Sequence, residues 1–473
     1  MKASIRHLPS TIELLESRIA PASVVHLTDA NGDVITFKSS LGTLETSGPQ
    51  QNVTNEGPLS GGVHDYFYVL LSSPSFAGTN FSVTVAKGSH GDGQLANLEI
   101  YAPGVNLGAI SIVGDLGSIT AGSGGATPAI KSLSVNSIGR YELDLGSFET
   151  SNVAGSITKL AVKHDVEGGF LDVTGNIGSI SIGGSLIGGA GSYTNDGDLY
   201  ASGNIGNVAI KGSVHGGAGN YDGIITAQGN IGAVTIGGSI FGSNGLYSGS
   251  IGGGVNVASV TVGGSVFGGL GADSGDIYGA YNATGTIGKI AIGGSLVGSG
   301  GDYSGMLGTS NNGAFAVSIT TVDIGKDIVG GAGSNSGGVW TEGSIGSLTL
   351  KGSLIGGVGT SSPGGGFISS ALQAGEVTIE GSIYGGTAFQ SGQIYLSAGI
   401  GKLNIGGSIY GGSDGYSGDI KCVGSIGVLD VAGNFIGGSG DYSGSAIAGS
   451  VGSEKIGGVL VTGSGTDSGV VTA

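Results

Sequence analysis

The sequence predicts an all-β chain: a parallel β-helix, a three-sided solenoid of about 26–30 residues per coil, behind a small N-terminal β region. Three observations predict it. Glycine supplies 106 of 473 residues, about three times its usual share. One phrase returns along the chain, read loosely as Gly-x-Ile-Gly-x-Val-x-Ile-x-Gly-Ser-Ile-x-Gly-Gly, then a variable tip, then Tyr-Ser-Gly-x-Ile. The apolar runs inside it ("VTIGG", "SIFG", "SGSIG") are too short for helices and rich in β-branched residues, as strands are.

Residues 1–22 open the chain with "MKASIRHLPSTIELLESRIAPA". Glu13, Glu16 and Arg18 interrupt any apolar middle of an ordinary secretory signal. Ser10 and Glu13 have capping-box spacing, and Ile12, Leu15 and Ile19 share one helical face. "LESRIAPA" (Leu15 to Ala22) resembles the N-terminal LEPR-type motif of large exported bacterial surface proteins, with Leu15, Glu16 and Arg18 in the matching places. The resemblance implies export and residence at the cell surface or outside the cell; it implies no activity.

Residues 23–104 form the small β region and expected cap. "VVHLTDANGDVITFKS" reads as two strands joined at Asn31-Gly32, the dipeptide of tight hairpin turns. Asp29, Asn31 and Asp33 alternate as in a calcium loop, but the distant glutamate is missing, so a turn is expected. "YFYVLLSS" and "NFSVTVAKG" continue the alternation. A solenoid's terminal coil needs such a cover for its apolar end.

Residues 105–473 carry the solenoid, regular from about Gly175. The Gly-Ser steps fall at Ser185, Ser213, Ser239, Ser265, Ser295, Asp327, Ser353, Ser382, Ser408 and Asn434, with gaps of 28, 26, 26, 30, 32, 26, 29, 26 and 26. Self-similarity of this kind marks a repeat architecture. At about 4.8 Å per coil, ten coils extend about 48 Å. Tight corners need positive φ, which glycine adopts without steric cost. Ile182, Ile210, Ile236, Val262 and Ile292 recur as an inward ladder, and the serines are expected to form a hydrogen-bonded corner column. "LGAISIVGDLGSITAG" followed by "GNIGSISIGGSLIGG" is similar to the β-strand-repeat proteins that carry such N-terminal motifs in bacteria, over roughly residues 20–473.

Composition excludes several functions. Net charge is −17 and arginine is confined to Arg6, Arg18 and Arg140, so phosphate backbones meet no cationic cluster and nucleic acid is not a partner. No apolar run is long enough for a membrane-spanning helix, and the strands lack the aromatic girdles of a membrane barrel. Cys422, the only cysteine, is read as a buried apolar residue.

No catalytic, cofactor or metal residues are assigned. Asp196, Asp198, Asp222, Asp273, Asp276, Asp302, Asp414, Asp419 and Asp441 read as solvated turn aspartates. "GGLGAD" (Gly268 to Asp273) starts a calcium nonapeptide but lacks tandem repetition, so no cofactor is expected and calcium between tips is left open. Two columns draw notice. Tyr193, Tyr221, Tyr247, Tyr303, Tyr416 and Tyr442 precede the third strand. Phe241, Phe267, Tyr384 and Tyr410 follow the inward residue of the second. Alternation turns the latter outward as a contact stripe, unless a kink buries both residues. The expected function is a non-catalytic structural or adhesive rod at the cell surface, contacting glycans or other surface proteins. The rivals are a polysaccharide lyase or hydrolase near Lys159, Lys163, His164 and Asp165, and a self-assembling surface-layer or filament subunit.

Overall fold

The computed structural model describes residues 22–58, 65–140, 150–191, 194–280, 282–309, 315–359 and 363–473. The export motif and Tyr193 lie outside these residues. The chain is all-β, with a parallel solenoid of about 14 turns. The described residues contain no helix long and apolar enough to cross a membrane.

The chain begins with β1 (Ser23–Thr28), β2 (Val34–Ser39), β3 (Val53–Pro58), β4 (Asp65–Leu70) and β5 (Phe81–Ala86), followed by the longer β6 (Leu95–Pro103) and β7 (Leu107–Gly122). β1–β2, β2–β5 and β3–β4 are antiparallel, whereas β4–β6 and β5–β7 are parallel. The antiparallel region is therefore hydrogen-bonded onto the first coil strands, and one apolar core runs from Ile35 to Ala446. The Asp29–Asp33 loop is a turn: Asp33 N donates to Asp29 Oδ1 at 2.7 Å, and the Asp33 carboxylate accepts from Gly88 N and Gly93 N at 2.6 and 2.7 Å.

Beyond β7 each coil contributes one strand to each of three parallel stacks. Six-residue strands such as Ile231–Ile236 form the first stack, two-residue strands such as Ile240–Phe241 the second, and strands such as Ile251–Gly253 the third. Alternation decides what each stack buries. Ile182, Ile210, Ile236, Val262 and Ile292 pair in register and are 0–2% exposed. Cys422 is buried in the third stack, and burial pushes its thiol up.

Between the first and second stacks the serines form the expected column. Ser213 N donates to Ser185 Oγ, Ser239 N to Ser213 Oγ and Ser265 N to Ser239 Oγ, all at 3.0–3.1 Å. Asp165, Asp327 and Asn434 take the same role with carboxyl or amide oxygens. Ser265→Ala removes the acceptor of Ser295 N and is expected to cost about 1 kcal/mol in urea unfolding.

The tip before the third stack has a sharper rule. In Tyr-Ser-Gly the first and third residues are left-handed: the first at φ 50–69° as Asn195, Tyr221, Tyr247, Asp273, Tyr303, Asn335, Gln390, Tyr416, Tyr442 and Asp467, the third at φ 63–75° and always glycine, from Gly197 to Gly469. A Cβ at Gly249 would lie 2.1 Å from Phe241 O, so the third place excludes every side chain. The serine between them is buried and closes the tip, as Ser274 does by accepting from Gly269 N at 2.9 Å and donating to Gly271 O at 2.7 Å.

A candidate glycan-binding groove

One outward column runs in unbroken register along the third stack: Asp172, Tyr200, Thr226, Gly252, Tyr278, Gly308, Trp340, Ser369, Tyr395, Lys421. Beside it stand the left-handed tip residues. The two columns enclose a groove with two deeper segments, about 370 and about 450 Å³.

Tyr200 and Tyr221 wall the first segment, backed by the buried Tyr247 and Tyr278, with Asp172 and Asp198 at one end. Tyr221 stacks on Tyr247 at 5.4 Å, and Tyr247 meets Tyr278 at 6.0 Å and a 56° tilt. Gly252 makes room for this: a Cβ there would meet the Tyr278 ring at 2.1 Å. Tyr303, Trp340, Phe367 and Tyr395 line the second segment with Gln393 and Lys421.

The tip aspartates depart from the solvated reading. Asp302, Asp414 and Asp441 are exposed, but Asp196, Asp198, Asp222, Asp273, Asp276 and Asp419 are buried. Asp196 and Asp222 replace the tip serine of their coils; Asp198, Asp276 and Asp419 follow the tip glycine, where the chain turns inward. Stacking also brings Asp172, Asp196, Asp198 and Asp222 into one cluster, which sequence spacing did not reveal. Burial, then the charge of Asp222, pushes Asp196 up to about 7. Burial pushes Asp222 to about 6, against hydrogen bonds from Gly219 N and Asp196 N. Burial raises Asp198 well above the usual range, with the charges of Asp172 and Asp222 adding to it. Asp196 Oδ2 and Asp198 Oδ1 are buried without a hydrogen bond. Among the described residues no group of three or more His, Cys, Asp or Glu is arranged to hold a metal.

The stripe residues lie on the second stack. Val266 is buried and Phe267 half-buried, and Tyr384 is 41% exposed. Their rings stack along the axis, Phe241 on Phe267 at 5.2 Å and 7°, Tyr384 on Tyr410 at 5.0 Å and 2°. Most ring faces there are taken by neighbouring rings, leaving edges to solvent. Lys159, Lys163 and His164 are exposed, while Asp165 accepts from Ser185 N at the corner column rather than joining a carboxylate cluster.

The groove can therefore offer aromatic walls, hydroxyls, amides and carboxyl groups to an extended, hydroxyl-rich ligand. Comparison with protein-family models, with curated proteins and with solved structures gives no match.

Proposed function

We propose that this chain is an exported bacterial surface rod that binds glycans along the third-stack groove without cleaving them. The observation that carries the reading is the continuous outward column with its two aromatic segments. A few placed polar groups among aromatic walls are the usual make-up of a specific small-molecule site. A coil repeat of about 4.8 Å is close to the length of one sugar ring, so successive coils meet successive rings. Repetition along the rod multiplies weak contacts. Export is supported by the resemblance of Leu15–Ala22 to surface-protein leaders. The second-stack stripe suits contact with another surface protein through its ring edges.

The test is pull-down by a panel of neutral and acidic polysaccharides, with new chain ends followed in parallel. Binding without new ends is expected, and Tyr200→Ala with Tyr221→Ala, at the more exposed rings, together should weaken it at least about tenfold, or about 1.4 kcal/mol. Undiminished binding by that double variant would remove the groove from the reading.

The carboxyl cluster favours a second reading, glycan cleavage, since raised carboxyls beside a cleft are a common mark of acid–base sites. New chain ends that disappear in Asp198→Asn would establish it over simple binding.

A further inference from the structure

The two groove segments differ in charge chemistry. The first ends in Asp172 and Asp198 and has no cation in its lining. The second has one, Lys421, whose Nζ lies 4.7 Å from the Tyr416 ring centroid and 6.0 Å from that of Tyr395. The ion pairs Lys289–Asp323, Lys402–Glu376 and Lys455–Asp430 hold other lysines; Lys421 is in none of them.

Beneath Lys421 the groove floor carries further unspent hydrogen-bonding capacity. Gln393 is 5% exposed, lines the segment, and its Nε2 makes no hydrogen bond. Asp419, fully buried next to it, has both oxygens without one. Gln393 and Lys421 are close enough to favour the charged form of Asp419, yet burial outweighs them and pushes it up to about 8. At neutral pH Asp419 therefore holds its proton and leaves the lysine charge uncancelled. The Lys421 ammonium and the Gln393 side chain line one space between aromatic walls. A cation in none of these ion pairs, beside an amide and aromatic walls, suits a ligand that brings a negative charge. Tyr303 and Trp340, stacked at 5.8 Å and 25°, wall the same space and suit a ring.

We propose that this second segment seats an acidic sugar residue, its carboxylate paired with Lys421 Nζ, as one charged ring within an otherwise neutral glycan. The inference rests on the glycan reading above and deepens it. Sparse charge follows from the whole chain: at −17 the rod repels a continuous polyanion at long range, while one carboxylate beside one unpaired lysine gains a charge-assisted bond.

The experiment titrates the full chain calorimetrically with two acidic oligosaccharides and their neutral parents: xylotriose bearing one glucuronic acid against xylotriose, and sialyllactose against lactose. At least one acidic member should bind about tenfold or more tightly than its parent. Lys421→Gln should abolish that difference without lowering the melting temperature, because the side chain is half-exposed, and Lys421→Arg should restore part of it. Equal affinity of acidic and neutral members, or an acidic preference that survives Lys421→Gln, overturns the proposal. So does a tight, Lys421-dependent interaction with a glutamate-rich peptide that matches the acidic sugars, since the class would then be carboxylates and not acidic glycans. Polysaccharide binding that is lost in the tyrosine double variant, with no acidic preference in the unaltered chain, overturns this inference alone. Absence of binding to every glycan overturns it together with the reading on which it stands.

Discussion

Raising the pH from about 5 to about 8 is expected to weaken the fold by several kcal/mol, the reverse of the usual acid lability. Asp222, Asp196 and Asp419 are pushed up to about 6, about 7 and about 8, chiefly by burial, and Asp198 and Asp276 are raised well above the ordinary range. An unfolded aspartate titrates near 3.9. Between these values the folded chain keeps protons that the unfolded chain has released, so stability falls as pH rises. Below about pH 4 both states are protonated and no penalty exists; above that it grows as pH rises through the folded values. One pKa unit is worth about 1.4 kcal/mol, so a single retained unit at each of three groups amounts to about 4 kcal/mol. His215, lowered by burial, acts in the opposite direction below its unfolded value, but as a single group. Urea midpoints at the two pH values measure the effect. Asp198→Asn, which cannot ionise, should stabilise the chain at the higher pH and flatten the profile; stability that increases with pH would refute the account.

Gly249→Val should be among the most damaging single changes in the array. Its φ is 66° and a Cβ would sit 2.1 Å from Phe241 O and 3.0 Å from Gly216 N. A branched residue in left-handed backbone costs about 1–2 kcal/mol, and forcing neighbouring backbone apart adds about 1–3 kcal/mol. Coils touch only their neighbours, so a fault there uncouples the two halves. Urea unfolding should then show two transitions in place of one, with the first moved to lower denaturant. Gln390→Gly is the control. Its left-handed place, at φ 59°, tolerates tyrosine, aspartate and asparagine in other coils, and the variant should stay within about 1 kcal/mol of the parent.

How much was legible follows from which features repeat. The inward ladder through Ile182 and Ile236 and the corner column through Ser213 and Ser239 recur at a near-constant period, so hydrophobic alternation and spacing suffice to find them. The groove does not recur in that way. Tip lengths vary, and Tyr200, Thr226, Gly252, Tyr278, Gly308 and Trp340 share no residue type, so only strand pairing lines them up. Tyr221 and Tyr247 were visible as a column, but their role as one wall needs the neighbouring column to be placed. The aspartates failed for another reason. Turn aspartates normally face water, and nothing in "NDGD" or "YDG" tells that two left-handed residues fold the tip back over Asp196, Asp198 and Asp222. Phe241 and Phe267 show a third limit: alternation gives a side, yet whether rings present faces or edges depends on the stacking of adjacent coils.

The two ends of the solenoid are unlike. At one, β4 and β5 lie hydrogen-bonded against the first coils under a sheet of antiparallel strands. At the other, Val459, Leu460 and Val461 are 60, 49 and 44% exposed, and their strand pairs only backwards, to Phe435–Ile436. Strand edges are templates for further pairing, so the stack has a polarity.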